Sequence, residues 1–298
     1  MKHLATIILI LAANVSIAQK LYLDSIFSEI NKTTYSFPTD SDEILQFDFY
    51  SRSNPKEKAP LLVYVHGGGF SGGARDDDDI VDFAIKIAER GYSVASVSYR
   101  LTMKGIGFGC DVDASKKIAA IDAASFDVNQ AVKYILDNDT KFMIDSTKII
   151  LAGGSAGAEA VLNLAYVYEN NTLPKDFKFA GVISMAGALT TIDKIDSATA
   201  IPTQLFHGTG DPLVPYDIAP HHYCDSNNTG YLMLYGSNAI AKRLHGLGKS
   251  YYLYTSNGGS HDWADIPRVK CINEVVDFLY HDVVNIDAIR QTSRTINR

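Results

Sequence analysis

Seven short runs rich in β-branched and aromatic residues punctuate the chain: ILQFDFY (44–50), PLLVYVH (60–66), YSVASVSY (92–99), KIILAGG (148–154), FAGVISMAG (179–187), PTQLFHG (202–208) and SYYLYT (250–255). Between most of them apolar residues recur with helical spacing, over 77–90, 116–138, 156–169, 236–247 and 267–284. This alternation predicts an α/β fold with a mostly parallel sheet of about eight strands and helices on both faces. Ligands of such sheets gather at the carboxyl ends of the strands, so the loops that follow the runs are where chemistry is expected. No repeat, low-complexity tract or Pro/Gly/Ser linker breaks the pattern, and residues 19–298 read as one domain.

The N-terminus departs from it. Lys2 precedes an unbroken apolar run from Leu4 to Ala13, followed by small residues at Ser16 and Ala18. A basic start, an apolar core and a small-residue site make residues 1–18 a signal peptide, cleaved near Ala18, and the chain secreted or periplasmic. The run is short of the roughly 20 residues that cross a bilayer, and no cysteine follows it to take a lipid, so no stable membrane anchor is expected. A buried amphipathic helix would need a polar face, which this stretch lacks.

The composition, 46% hydrophobic and 20% charged over 298 residues, is that of a globular protein. A formal net charge of −7 argues against nucleic acid, whose phosphates call for clustered Lys and Arg, and favours a small uncharged substrate. In an oxidising compartment Cys110, Cys224 and Cys271 imply one disulfide and one thiol, with three pairings open. Cys224 follows one expected strand end and Cys271 the next, which favours joining those two.

Chemistry concentrates at GGSAG, residues 153–157, where an expected strand meets an expected helix. Small residues on both sides of Ser155 permit a tight turn that lifts its hydroxyl above the sheet, a nucleophile elbow. A serine that merely caps the helix would not need glycines on both flanks. Upstream, His66-Gly67-Gly68-Gly69 ends another run. Amides of Gly68 and Gly69, with that of Ala156, would make an oxyanion hole. No GK[ST] follows to make this a phosphate loop.

A nucleophilic serine needs a base, and the base a carboxylate to orient it. The strand-end loops after Ser155 supply Asp211, in HGTGDPLVP, and His261, in SNGGSHDW. Asp262 competes for the carboxylate role, but a neighbour in sequence points away from its neighbour's ring. His66 reads as a loop brace, and His207, His221, His222 and His245 as structural. Asp76 to Asp79 suit the first turn of a helix better than a calcium site. HHYCD at 221–225 lacks a zinc spacing, and no metal or organic cofactor is expected.

With HGGGFSGG, SVSYRL, GGSAGAEA, HGTGDPLVP and GGSHDW in this order, the chain resembles the α/β-hydrolase superfamily, especially secreted carboxylesterases, hormone-sensitive-lipase-like esterases and feruloyl-esterase relatives. The resemblance implies a serine hydrolase acting on carboxylic esters through Ser155, Asp211 and His261, with Gly68, Gly69 and Ala156 as the oxyanion hole. Gly154 departs from the lipase-like pattern, which places an acidic residue before the serine. HGTGDPLVP is closer to feruloyl-esterase and dienelactone-hydrolase relatives.

Segment 186–200, where such folds insert a lid, is short, which suits an open site and a short-chain acyl, feruloyl or other carbohydrate-linked ester. Residues 101–117 offer a flap carrying Phe108, and Phe70 follows the glycines. Trp263 either stacks on substrate or pins its loop, and the tyrosines of 212–235 pin theirs. The rival readings are a catalytically inactive scaffold of the same fold and a peptidase, though the chain has no room for the propeller domain of the large fold-related peptidases.

Overall fold

The computed structural model describes residues 20–40, 43–169, 172–286 and 288–297. The expected signal peptide lies outside the described residues. Strands β1 (Ile30–Phe37), β2 (Leu45–Arg52), β3 (Ala59–Val65), β4 (Ser93–Val97), β5 (Ile144–Gly154) and β6 (Gly181–Met185) alternate with helices α1 (Asp78–Ala88), α2 (Ala114–Asp137), α3 (Asp139–Phe142) and α4 (Ala156–Tyr166). There follow β7 (Ala188–Leu189), β8 (Thr203–Gly208), β9 (Ile218–Pro220), β10 (Met233–Gly236), α5 (Ser237–Gly246), β11 (Tyr251–Asn257), α6 (Ile266–Lys270), α7 (Ile272–Phe278) and β12 (Gln291–Asn297).

Nine strands form one sheet in the order β1-β2-β4-β3-β5-β6-β8-β11-β12. The β1–β2 and β2–β4 pairs are antiparallel and the others parallel. Central strands are buried on both faces, so they are apolar at nearly every position rather than at alternate ones. Leu61, Val63 and Val65 of β3 and Ile149 and Leu151 of β5 pack with α2 and α4 on one side. Leu62, Tyr64, Ile150 and Ala152 pack with α1 and α7 on the other.

The seven expected strands are present, and the two extra members are the edges. In β1 and β12 most positions are exposed, so neither carries the apolar run that marked the others. Main-chain pairing to β2 and β11 holds them without a buried face. The single helix expected over 267–284 breaks at Cys271 (φ −118°, ψ 29°), giving α6 and α7, with a wide π-turn over Leu279–Val284.

Segment 186–200 differs from the expected lid. Its β7 joins a second, three-stranded sheet in the order β7-β10-β9, and Ile195 is buried, with its carbonyl accepting from Arg243 of α5. None of its residues lines the cavities beside Ser155. The cover over the sheet's carboxyl end is made instead by 101–113 and the loop from Asp211 to β10, which are bonded through Gly230 N to Cys110 O at 3.0 Å and Ala114 N to Thr229 O at 2.9 Å.

Candidate active site

Ser155 sits between β5 and α4 with φ 52° and ψ −124°, a conformation non-glycine residues rarely adopt. Close approach enforces the turn. A Cβ on Gly157 would stand 2.2 Å from the Val65 carbonyl oxygen. The Ser155 amide donates to Met185 O at 2.9 Å, tying the turn to β6.

The serine hydroxyl lies 2.8 Å from His261 Nε2, and His261 Nδ1 lies 2.7 Å from Asp211 Oδ2. Asp211 follows β8 and His261 follows β11, so neighbouring parallel strands bring together residues far apart in sequence. Asp211 Oδ1 accepts from the amides of Leu213 (2.8 Å) and Val214 (3.0 Å). Burial alone would raise its carboxyl, but hydrogen bonds and charge from His207 and His261 hold it well below the usual carboxylate range. His207, whose Nε2 is 3.3 Å from Asp211 Oδ2, is itself fixed by Ser237 and the Val214 carbonyl.

Gly68, Gly69 and Phe70 all have positive φ, which turns the glycine loop toward Ser155. The Gly68 and Gly69 amides donate to no protein group among the described residues. Ala156 opens α4, where amides have no intrahelical acceptor. His66 stacks on Tyr99 at 4.4 Å and donates from Nδ1 to Gly67 O at 2.8 Å. Burial lowers its pKa, keeping it a neutral brace.

Two cavities flank the serine. One, of about 240 Å³, lies between the glycine loop and residues 213–222 and is lined by Phe70, Phe108, Glu159, Leu213, His221 and His222 among others. The other, of about 290 Å³, is bordered by Gly67, Gly68, Asp77, Asp265 and Arg268. A larger hollow of about 560 Å³ lies near the amino end of β5, at Ser146 and Thr147, the wrong end of the sheet for this chemistry. Phe70 and Phe108 border the cavity beside Ser155. Trp263 lines neither cavity: it is buried and stacks on Tyr254 at 5.4 Å, so it pins the loop that carries His261.

The disulfide joins Cys110 to Cys224, and Cys271 is a free, buried thiol, which corrects the expected Cys224–Cys271 pair. Adjacent strand ends do not bring those two together because Cys271 is buried between α6 and α7, in the cluster that holds Tyr254 and Trp263 against one face of the sheet. Cys224 belongs to the cover, against the flap that carries Cys110.

Three contributors went unread in the sequence. Glu159 lies in the first turn of α4, four residues after Ser155, and borders the same cavity. His221, read as structural, lines the cavity 3.5 Å from Glu159. Arg268, from α6, lies beneath the elbow and donates to Tyr64 OH, the Ala264 carbonyl, Asp79 and Asp265. It occupies the neighbourhood of Gly154: a Cβ there would meet Ala264 O at 2.5 Å and Arg268 Nη1 at 3.0 Å, leaving no room for the acidic residue of the lipase-like pattern.

Sheet order, elbow and cover define an α/β-hydrolase fold. The BD-FAE family model matches residues 47–188, from β2 through the elbow to β7. Among curated proteins, gut esterase 1 of Caenorhabditis elegans is 31% identical over 131 residues, 41% of this chain and 22% of that protein. Chlorogenic acid esterase of Aspergillus niger is 28% identical over 141 residues, 47% of this chain and 25% of that one. The chain thus spans about a quarter of the length of the curated relatives it matches. Among solved structures, esterase 2 of Thermogutta terrifontis superimposes with a TM-score of 0.62 at 16% identity, covering 86% of this chain and 95% of that one.

Proposed function

We propose that the chain is an exported serine carboxylesterase that cleaves short-chain acyl or carbohydrate-linked esters, feruloyl esters included, through an acyl-enzyme. The observation that carries this is the unbroken hydrogen-bonded series from Ser155 through His261 to Asp211 beside two cavities. In this reading Ser155 Oγ attacks the ester carbonyl carbon while His261 Nε2 takes its proton. The oxyanion is held by the amides of Gly68, Gly69 and Ala156. Collapse breaks the bond to the alcohol oxygen, which leaves with the proton from His261. Water, deprotonated by the same imidazole, then releases the acid and restores the serine. Asp211, kept ionised, orients the ring and stabilises the imidazolium.

The smaller cavity, at about 240 Å³, lies below the range of about 300–1,000 Å³ common for drug-sized ligands, which supports a small acyl or alcohol group there. A disulfide in the cover supports export to an oxidising compartment. No described helix is long and apolar enough to cross a membrane. The test is hydrolysis of p-nitrophenyl esters from acetyl to long chains by the protein and by Ser155→Ala. Rates that fall with chain length and vanish on substitution are expected. No turnover, together with no labelling of Ser155 by a fluorophosphonate, would leave a binding scaffold as the better reading.

A further inference from the structure

The smaller cavity has a polar floor that the hydrolytic series leaves unused. Glu159 is 2% exposed, and its Oε1 has no hydrogen-bond partner. His221, equally buried, approaches it with Nε2 at 3.5 Å without forming a hydrogen bond, and His221 Nδ1 also lacks a partner. Both side chains border the cavity. Buried polar atoms without partners are costly, and a native site keeps them where something else completes them.

The surroundings say what that something is. Burial, reinforced by the Asp211 charge and opposed by Lys117, pushes the Glu159 carboxyl up to about 8, so at neutral pH it is largely protonated and can both donate and accept. Burial and the neighbouring His222, Lys117 and His261 keep His221 well below its ordinary value, hence neutral. Lys117 is fully buried, with its ammonium donating to Gly230 O at 2.9 Å, and its charge disfavours a cationic ligand. An alkyl chain would leave the floor unpaired. An uncharged group that donates and accepts at once suits it, and the simplest is a hydroxyl.

We propose, resting on the esterase reading, that Glu159 and His221 form a hydroxyl-recognition subsite, so that preferred esters carry a hydroxyl a few bonds from the reacting carbonyl. The reach follows from the cavity, about 240 Å³, whose lining includes both Ser155 and Glu159. The hydroxyl can belong to either half of the ester, and the comparison separates the two sources.

The experiment is a pH-stat measurement of kcat/KM for two matched pairs, methyl 3-hydroxybutyrate against methyl butyrate and glycerol monoacetate against propyl acetate. The expected result is a preference of about tenfold or more for the hydroxylated member of one pair, which identifies the half that is read. In Glu159→Leu that ratio should fall to within about twofold, with Glu159→Gln retaining part of it. Should Glu159→Leu fail to fold, His221→Phe, which keeps an aromatic ring in place, carries the same test. Wild-type protein that cleaves the plain esters at least as well in both pairs overturns the subsite and leaves the esterase intact. A preference undiminished in the variants overturns it equally. No turnover of any ester removes the esterase reading and this one with it.

Discussion

Cys110 and Cys224, 114 residues apart in sequence, are bonded across the cover of the cavity beside Ser155. The bond joins the flap to the loop after Asp211 and holds the Phe108 ring edge-on to His221 at 5.0 Å. One wall of the cavity thus depends on a link between two segments that otherwise share few regular elements. Replacing both cysteines by serine is expected to lower stability by about 2–5 kcal/mol, the usual cost for a bridge closing so long a loop. The same change should raise KM more than it lowers kcat, since Ser155, His261 and Asp211 are positioned by β5, β8 and β11. Thermal melts and steady-state kinetics, with and without a reductant, check both parts. An unchanged KM would mean that the flap holds its place without the bond.

Asp211 is predicted to matter twice. Asp211→Asn removes the charge that fixes the His261 tautomer, and a loss of about 10⁴-fold in kcat is expected. Because the folded-state carboxyl is held below its usual range, it contributes stability that is fully present above the unfolded pKa and lost as pH falls through the folded value. Wild type should therefore lose its advantage over Asp211→Asn by about 1.4 kcal/mol per pH unit below about pH 4. Urea unfolding of both proteins at pH 6, 4 and 3 reads that narrowing directly. A gap constant with pH would contradict it.

Gly154 and Arg268 predict an asymmetry in how the elbow tolerates substitution. The Ala264 carbonyl stands 2.5 Å from a Cβ added at Gly154, so even Gly154→Ala must displace backbone. A destabilisation of about 1–3 kcal/mol is expected, with a loss of activity as Ser155 shifts. Gly154→Asp, the residue type found in lipase-like relatives, should be worse despite the nearby guanidinium, because Arg268 already binds Asp79 and Asp265. Melting temperatures of the two variants decide this. A Gly154→Asp protein as stable as wild type would show that the charge is welcome and the crowding relievable.

How far these features could be read in advance depended on whether the signal was local. Central strands buried on both faces are continuous apolar runs, and the glycines around Ser155 record a turn too tight for side chains, so both were legible. The edge strands β1 and β12 were not, because main-chain pairing holds them and leaves polar positions such as those of QTSRTIN exposed. The disulfide was missed for a related reason. Cys271 and Cys224 follow neighbouring strands, but Cys271 is buried against one face of the sheet while Cys224 belongs to the cover over its carboxyl end, a placement that only tertiary packing sets. Glu159 was hidden in a run of small residues, where its burial and its approach to a distant histidine follow only from tertiary packing.

That same carboxyl makes the last prediction, on stability. Glu159 has a raised folded-state pKa, the opposite of Asp211, so the native state holds a proton that the unfolded chain releases between about pH 4.3 and 8. The unfolded state binds fewer protons over that window, and stability must fall as pH rises through it. The groups that bear on Glu159 are Lys117 of α2, Tyr99, His221 of the cover and Asp211, with His222 and His261 lining the same cavity. Of these, burial holds His221 well below its ordinary range, and Lys117, whose charge opposes the shift, remains in every variant. Glu159→Gln carries no ionisation and should remove this part of the decline, becoming more stable relative to wild type by on the order of 3–5 kcal/mol at pH 8.5 compared with pH 5. Paired urea melts at those two pH values measure it, and a difference that does not change with pH would mean that the native carboxyl ionises as freely as in the unfolded chain.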